Sequence, residues 1–292
     1  MNKTKHLLSF SKPLLLTLAT LTYFLGMGIA RYLGRADSPL NFILGFGWII
    51  LLLLAMNLLT VYFRPYNEPL TGEETIVERN WLRAASFQIS IAVLGMVALL
   101  TVMLFQSGVA PSAIIYAALI LLVALAYALP PFRLVTSGFG ELILAILLAL
   151  LIPAFSLTLQ MGEIHRLLGA VSFPLIALSF AYFLALDFPA YKEDRKYERG
   201  SLLLRIGWRR AIPFHHILIL TAYLLFAAMP LFNLPRAIFL PPFYIAPFAI
   251  LQIYWMQRIA QGASPNWKFL KTLSIALLGL TIYIITLTFW MR

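Results

Sequence analysis

Nine runs of predominantly apolar residues follow one another along this chain, each close to twenty residues long. They cover roughly 13–33, 40–63, 84–106, 111–130, 139–160, 169–187, 211–232, 236–257 and 268–290. A chain crossing hydrocarbon has no water to satisfy its backbone N–H and C=O groups, so only helices and closed barrels can do it. The runs lack the two-residue alternation of barrel strands and have the length a helix needs to cross about 30 Å of lipid core. Composition supports this: 11% of residues are charged, against about 25% in a soluble domain. The pattern predicts an all-α polytopic membrane helix bundle of about nine transmembrane helices, forming a single domain over 1–292. The first run is too long for a signal-peptide core and reads as a span. The prolines Pro230, Pro235, Pro241 and Pro242 read as loop punctuation and kinks. With no cysteine, disulfides and thiolate metal sites are excluded. The net charge of +11 reads as loops facing anionic lipid rather than as a nucleic-acid surface.

The bases choose an orientation. With the N-terminus inside, the inner segments hold Lys3, Lys5 and Lys12; Arg64, Arg79 and Arg83; Arg133; the bases of residues 192–210; and Arg258, Lys268 and Lys271. The outer segments hold only Arg31, Arg35, Arg166, Arg236 and Arg292. The positive-inside rule therefore predicts a multi-pass protein, of the cell membrane, with a cytoplasmic N-terminus. Among the acids, only Asp37 and Glu163 fall outside. Acids do not obey that rule, so their concentration on one side points to a working polar face at the cytoplasmic surface.

The densest charge lies in residues 187–210, with Asp187, Glu193, Asp194 and Glu198 among Lys192, Arg195, Lys196, Arg199, Arg205, Arg209 and Arg210. That is a third of the chain's charged side chains. If the sixth helix continues past its apolar run, Asp187, Tyr191, Asp194 and Glu198 share one face. Carboxylates flanked by bases at a membrane surface suit a divalent cation and a phosphorylated ligand. Two other inner loops are polar. Residues 57–83 carry Glu68, Glu73, Glu74 and Glu78, and 73–83 read as a short amphipathic helix. In residues 127–141, Pro130 and Pro131 stop the fourth helix, and Glu141 falls in the first turn of the fifth, a favourable place for an acid. His6, His165, His215 and His216 show no metal-ligand spacing.

Polar inner loops after spans two, four and six of a nine-span chain resemble the UbiA superfamily of intramembrane prenyltransferases. YALPPFRLVTSGFGE is similar to that family's Tyr-x-x-Pro-Pro-x-Arg-Leu loop. Asp187, Asp194 and the segment from Gly200 to Gly207 resemble its second aspartate motif and the basic-Gly-Thr-Leu segment after it. KPLLLTLATLTYFLGMGIARYLG is similar, more weakly, to its first span. The resemblance implies transfer of a prenyl group from a prenyl diphosphate to a lipophilic, often aromatic, acceptor, with Mg2+ as cofactor. It implies Asp187 and Asp194 as catalytic carboxylates and, with Glu68, as metal ligands. Asn57, Arg64, Arg133, Tyr191, Lys192 and Arg195 are then expected to bind substrate.

The first aspartate motif, Asn-x-x-x-Asp-x-x-x-Asp, is degenerate. Counted from Asn57 its aspartate places hold Val61 and Pro65; counted from Thr60 they hold Arg64 and Glu68. The second register keeps one acid and is preferred. Ala190 also stands where many members have an aspartate. Valine and proline cannot ligate Mg2+ through their side chains. Either one ion survives on Asp187 and Asp194 while Arg64 takes part of the diphosphate charge, or the fold binds an isoprenoid lipid or a partner enzyme without turnover. A transporter fits least, because the charges lie at helix ends on one side and no inverted repeat is visible.

Overall fold

A computed structural model describes residues 3–36, 38–72, 74–232 and 234–292, so Asp37 and Glu73 lie outside the described residues. The described residues are helical with no strand. Among the described residues, nine helices are long and apolar enough to cross a membrane: α1 (Pro13–Tyr32), α2 (Pro39–Tyr62), α3 (Ile76–Gln106), α4 (Pro111–Ala128), α5 (Gly140–Met161), α6 (Arg166–Lys196), α7 (Trp208–Phe232), α8 (Arg236–Ala260) and α9 (Trp267–Trp290). A short helix, Lys3–Phe10, precedes them.

Local chemistry sets the helix starts. Pro13, Pro39 and Pro111 open α1, α2 and α4, where a missing N–H costs nothing and φ is already helical. Ser38 and Asn266 cap α2 and α9 through their side chains. Thr75 and Glu78 form a reciprocal capping box on α3, satisfying two donors the first turn leaves free. That box explains a difference from expectation: no separate amphipathic helix precedes the third span, because α3 is continuous from Ile76. Likewise α6 runs past its apolar stretch to Lys196. Glu198 lies beyond its end in a left-handed conformation, φ 50°, and so leaves the face shared by Asp187, Tyr191 and Asp194.

Helices α5 and α6 are the most enclosed, while α3, α4, α7 and α8 turn most of their side chains outward. Around them α1 packs on α5 and α9, α2 on α3, and α7 on α6. At Gly26 the α1 backbone comes so near the Pro153 carbonyl of α5 that a Cβ would overlap it; small residues permit such approach between membrane helices. Just before Pro153, α5 widens into a π-helical turn, Leu147–Leu151, as expected where a proline N–H is missing from the ladder. Buried aromatics keep their polar ends satisfied: Tyr23 Oη donates to the Phe42 carbonyl at 2.8 Å, and Trp48 Nε1 to Thr101 Oγ1 at 2.9 Å. An apolar cavity of about 200 Å³ opens beside Trp48, Thr101, Phe105 and Phe155, and none of the expected site residues lines it.

Candidate active site

The loop from α2 to α3 is built around two arginines and a glutamate. Arg83, buried on α3, donates to the carbonyls of Tyr62 (3.1 Å) and Pro65 (2.8 Å) and lies over the Tyr66 ring. The Glu74 carboxylate accepts from Leu70 N, Thr71 N and Thr71 Oγ1 and pairs with Arg79 at 3.1 Å. Burial opposes its ionisation, but the hydrogen bonds from Thr71 and Leu70 outweigh that and hold its pKa down at about 2. These contacts fix the loop so that Arg64 and Glu68 face the bundle.

Glu68 is buried and central. Its Oε1 forms ion pairs with Arg64 Nε at 3.2 Å and with Arg199 Nη2 at 2.6 Å. Arg199 also reaches Asp194 Oδ1 through Nη1 at 2.9 Å. One guanidinium thus ties the loop after α2 to the end of α6. Burial lowers the pKa of Arg199, but Glu68 and Asp194 more than compensate and raise it. Arg64 is shifted down, first by burial; Glu68 opposes this, while Arg199, Arg83 and Arg133 add to it. Arg133 is also lowered by burial and by Arg83, against the pull of Glu68. Its Nε is buried without a partner.

Lys12 joins from the other side. It sits between the N-terminal helix and α1 in a left-handed conformation, φ 49°. Fully buried Asn57 holds that turn by donating from Nδ2 to the Ser11 carbonyl at 3.0 Å. The Lys12 side chain is half-buried, and burial together with nearby Arg64 lowers its pKa to about 8. Arg133 is likewise left-handed, φ 39°. Non-glycine residues adopt this region rarely, and such strain collects at functional sites. The bases Lys12, Arg64, Arg83, Arg133 and Arg199 therefore outnumber the acids they enclose, Glu68 and Asp194. Arginine stays charged at any ordinary pH, so the cradle calls for an anion.

Two turns deeper, Asp187 meets different company. Its carboxyl lies within hydrogen-bonding reach of Glu141, and its charged neighbours are Glu141 and Asp194. Its Oδ2 is buried with no donor. Glu141 Oε1 accepts from Leu202 N at 3.0 Å, while its buried Oε2 has no donor. The ring of buried Tyr127 is close to both acids. Gly200 brings the loops after α4 and α6 into contact here, its Cα against the Thr136 carbonyl with no room for a side chain.

The structure brings Glu68, Arg64, Arg133 and Asp194 together, with Asp187 beside Asp194. Asn57 supports Lys12 from below. Tyr191 packs on Trp208 in an aromatic wall, ring centres 5.3 Å apart, and Lys192 and Arg195 are exposed. Val61 is buried in an apolar cluster with Phe10, Leu70 and Leu82, so that motif position serves packing. Arg199, Glu141, Lys12 and Arg83 were not among the expected site residues. Arg199 had a signal: it directly precedes Gly200 in the basic-Gly segment. Among the described residues no three His, Asp or Glu side chains are grouped to hold a metal by themselves.

The sequence model of the UbiA prenyltransferase family matches residues 76–286. No curated protein sequence matches the chain. Among solved structures, a UbiA homologue from Archaeoglobus fulgidus bound to Cd2+ is 17% identical, with a TM-score of 0.60 over 96% of this chain and 99% of that one. A digeranylgeranylglyceryl phosphate synthase is 16% identical, with a TM-score of 0.59 over 100% and 98%. The Archaeoglobus fulgidus homologue bound to GPP and Mg2+ is 16% identical, with a TM-score of 0.53 over 96% and 99%. At these identities the likeness is one of fold.

Proposed function

This chain belongs to the UbiA prenyltransferase family, and we propose that it transfers a prenyl group from a prenyl diphosphate to a lipophilic acceptor, with Mg2+ assistance, at the charged end of the bundle. The observation that carries this reading is the excess of bases around Glu68. Lys12, Arg64, Arg133 and Arg199 offer donors to an anion with several oxygens, and arginine meets such oxygens two at a time. The apolar helices above give the prenyl chain a medium as oily as itself. In the reaction the allylic C–O bond breaks, its electron pair leaving with the diphosphate. The acceptor bonds to the allylic carbon and releases a proton to solvent. The cradle stabilises the charge that grows on the leaving group.

The donor set fits a divalent ion at Asp187, whose Oδ2 is buried without a donor. When bound, Mg2+ neutralises charge on the leaving diphosphate. Glu68 is engaged with two arginines, so Arg64 and Arg199 take over charge neutralisation that the family's first aspartate motif would share with metal. We read the charged end as cytoplasmic, in line with the distribution of bases, and Lys192 and Arg195 as contacts to anionic headgroups.

A second reading has its own support. Val61, at one aspartate place of that motif, is packed in an apolar cluster, which suits a protein that binds a prenyl lipid without turning it over. One assay separates the two. The chain in proteoliposomes is given Mg2+, a lipid extract as acceptor source and a length series of labelled prenyl diphosphates. Release of diphosphate, reduced at least tenfold in Arg64→Ala and Arg133→Ala, supports the transferase. Saturable retention of label without release supports the binding protein and overturns the transferase.

A further inference from the structure

We propose that Glu141, together with Asp187, forms the divalent-cation site of this chain, supplying from α5 the carboxylate that the α2 motif has lost. The inference rests on the transferase reading for its purpose, and on geometry for its place. Asp187 and Asp194 are two turns apart on α6, about 10.5 Å along the axis at 1.5 Å per residue. Neighbouring oxygens of an octahedral Mg2+ at about 2.1 Å from the ion are only about 3.0 Å apart. Asp187 and Glu141, within hydrogen-bonding reach of each other, are near enough to share one ion.

Each acid also has an oxygen to spare. Glu141 is only 9% exposed, yet its Oε2 has no donor, and Asp187 Oδ2 has none either. Two buried carboxyl groups in contact need a proton or a cation between them. Two features of the site suit the Glu141 carboxylate to such a cation. Glu141 sits in the first turn of α5, where the helix dipole stabilises negative charge. The Leu202 N–H stabilises the same carboxylate through Oε1. Asp194 is a poor competitor as a ligand, because Arg199 holds it. Its place between the pair and the cradle means that a cation on Asp187 and Glu141 adjoins an anion on Arg64 and Arg199, whose oxygens and water complete the shell.

The test measures metal directly. Mn2+, which takes the same oxygen ligands, is titrated against the full chain in nanodiscs, alone and with inorganic pyrophosphate, and followed by electron paramagnetic resonance. We expect one ion per chain, bound more tightly with pyrophosphate. Removing even a residue behind the ligands of a metal costs about tenfold in affinity, so Glu141→Gln and Asp187→Asn should each cost at least that. Glu68→Gln and Asp194→Asn should change it less than threefold. Glu141→Gln keeps an oxygen for Leu202 N–H, and a metal-free melting temperature equal to wild type verifies folding. Equal Mn2+ affinity in Glu141→Gln and wild type overturns the proposal, as does an affinity lost in Asp194→Asn but kept in Glu141→Gln. Pyrophosphate binding in the absence of metal is measured in parallel. If it is intact while Glu141→Gln leaves Mn2+ unaffected, the cation site is wrong and the transferase reading stands. If Mn2+ binds through the pair but neither pyrophosphate nor a prenyl diphosphate binds, the cation site stands and the transferase reading falls.

Discussion

Two sets of acids lie close together at the charged end, and their neighbours are opposite in sign. Glu68 and Asp194 are each bonded to arginine, and Arg199 serves both. Asp187 and Glu141, two turns from Asp194, face each other. The first set is a neutralised core inside a surplus of bases, so what it lacks is an anion. The second is a surplus of acid, and what it lacks is a cation or a proton. A diphosphate with a divalent ion meets both demands at once. Under the proposed function, a chain that has lost the aspartates of one motif still offers charge to the same ligand: arginines stand in for metal on one side, and an acid from another helix stands in for a metal ligand on the other.

Removing Arg199 should break the first set most completely. Breaking a buried ion pair by deleting one partner costs about 3–5 kcal/mol, because the remaining charge is left without compensation. Arg199→Ala leaves Asp194 unpaired and Glu68 with only Arg64. Unfolding in denaturant, followed in mixed micelles, should show a loss in that range; a loss under 1 kcal/mol would mean that the two loops do not depend on this guanidinium. A smaller, signed contrast comes next. Glu68→Gln removes charged hydrogen bonds worth about 1.5–3 kcal/mol each, so stability falls while the freed arginines bind inorganic pyrophosphate more tightly. In metal-free buffer Asp187→Asn relieves acid against acid, so stability holds or rises. If both variants lose stability alike, the difference between the two sets of acids is not one of charge.

How much of this the sequence carried depends on the range of the interaction. The nine helices were legible because lipid demands a long apolar run from each, and the all-α bundle follows. The ends of α3 and α6 were not, since hydropathy marks where a helix enters lipid and not where its hydrogen bonds stop. Thr75 with Glu78 begins α3 in polar sequence, and α6 carries Asp194 past the apolar boundary. Stopping α6 at Lys196 also decides which bases turn inward. Lys192 and Arg195 ride the helix on its exposed side, whereas Arg199, just past the end, folds back onto Asp194. The Arg64 and Glu68 pair was within reach of a sequence argument, being four residues apart. Glu141 with Asp187 was not: the contact joins the start of one helix to the end of another through Gly200 and Leu202, and no local pattern records it.

The smallest effect concerns Lys12, and it tests whether the anion cradle extends to the N-terminal turn. Its pKa of about 8 lies below the usual lysine value of about 10.4, because burial and Arg64 both disfavour the charged form. At pH 7 it is protonated and attracts an anion. As pH rises through 8 the free protein loses that proton, and binding must then take one up. A bound diphosphate restores the lysine toward its ordinary value. Between pH 7 and pH 9 pyrophosphate affinity should therefore fall by about tenfold, one pKa unit's worth. Lys12→Arg, charged throughout, should abolish the fall and keep the affinity seen at pH 7. Lys12→Ala should bind more weakly at pH 7 and be equally flat. Calorimetry at three pH values distinguishes these, and an unchanged slope in Lys12→Ala would assign the titration to another group and take the first turn of the chain out of the site.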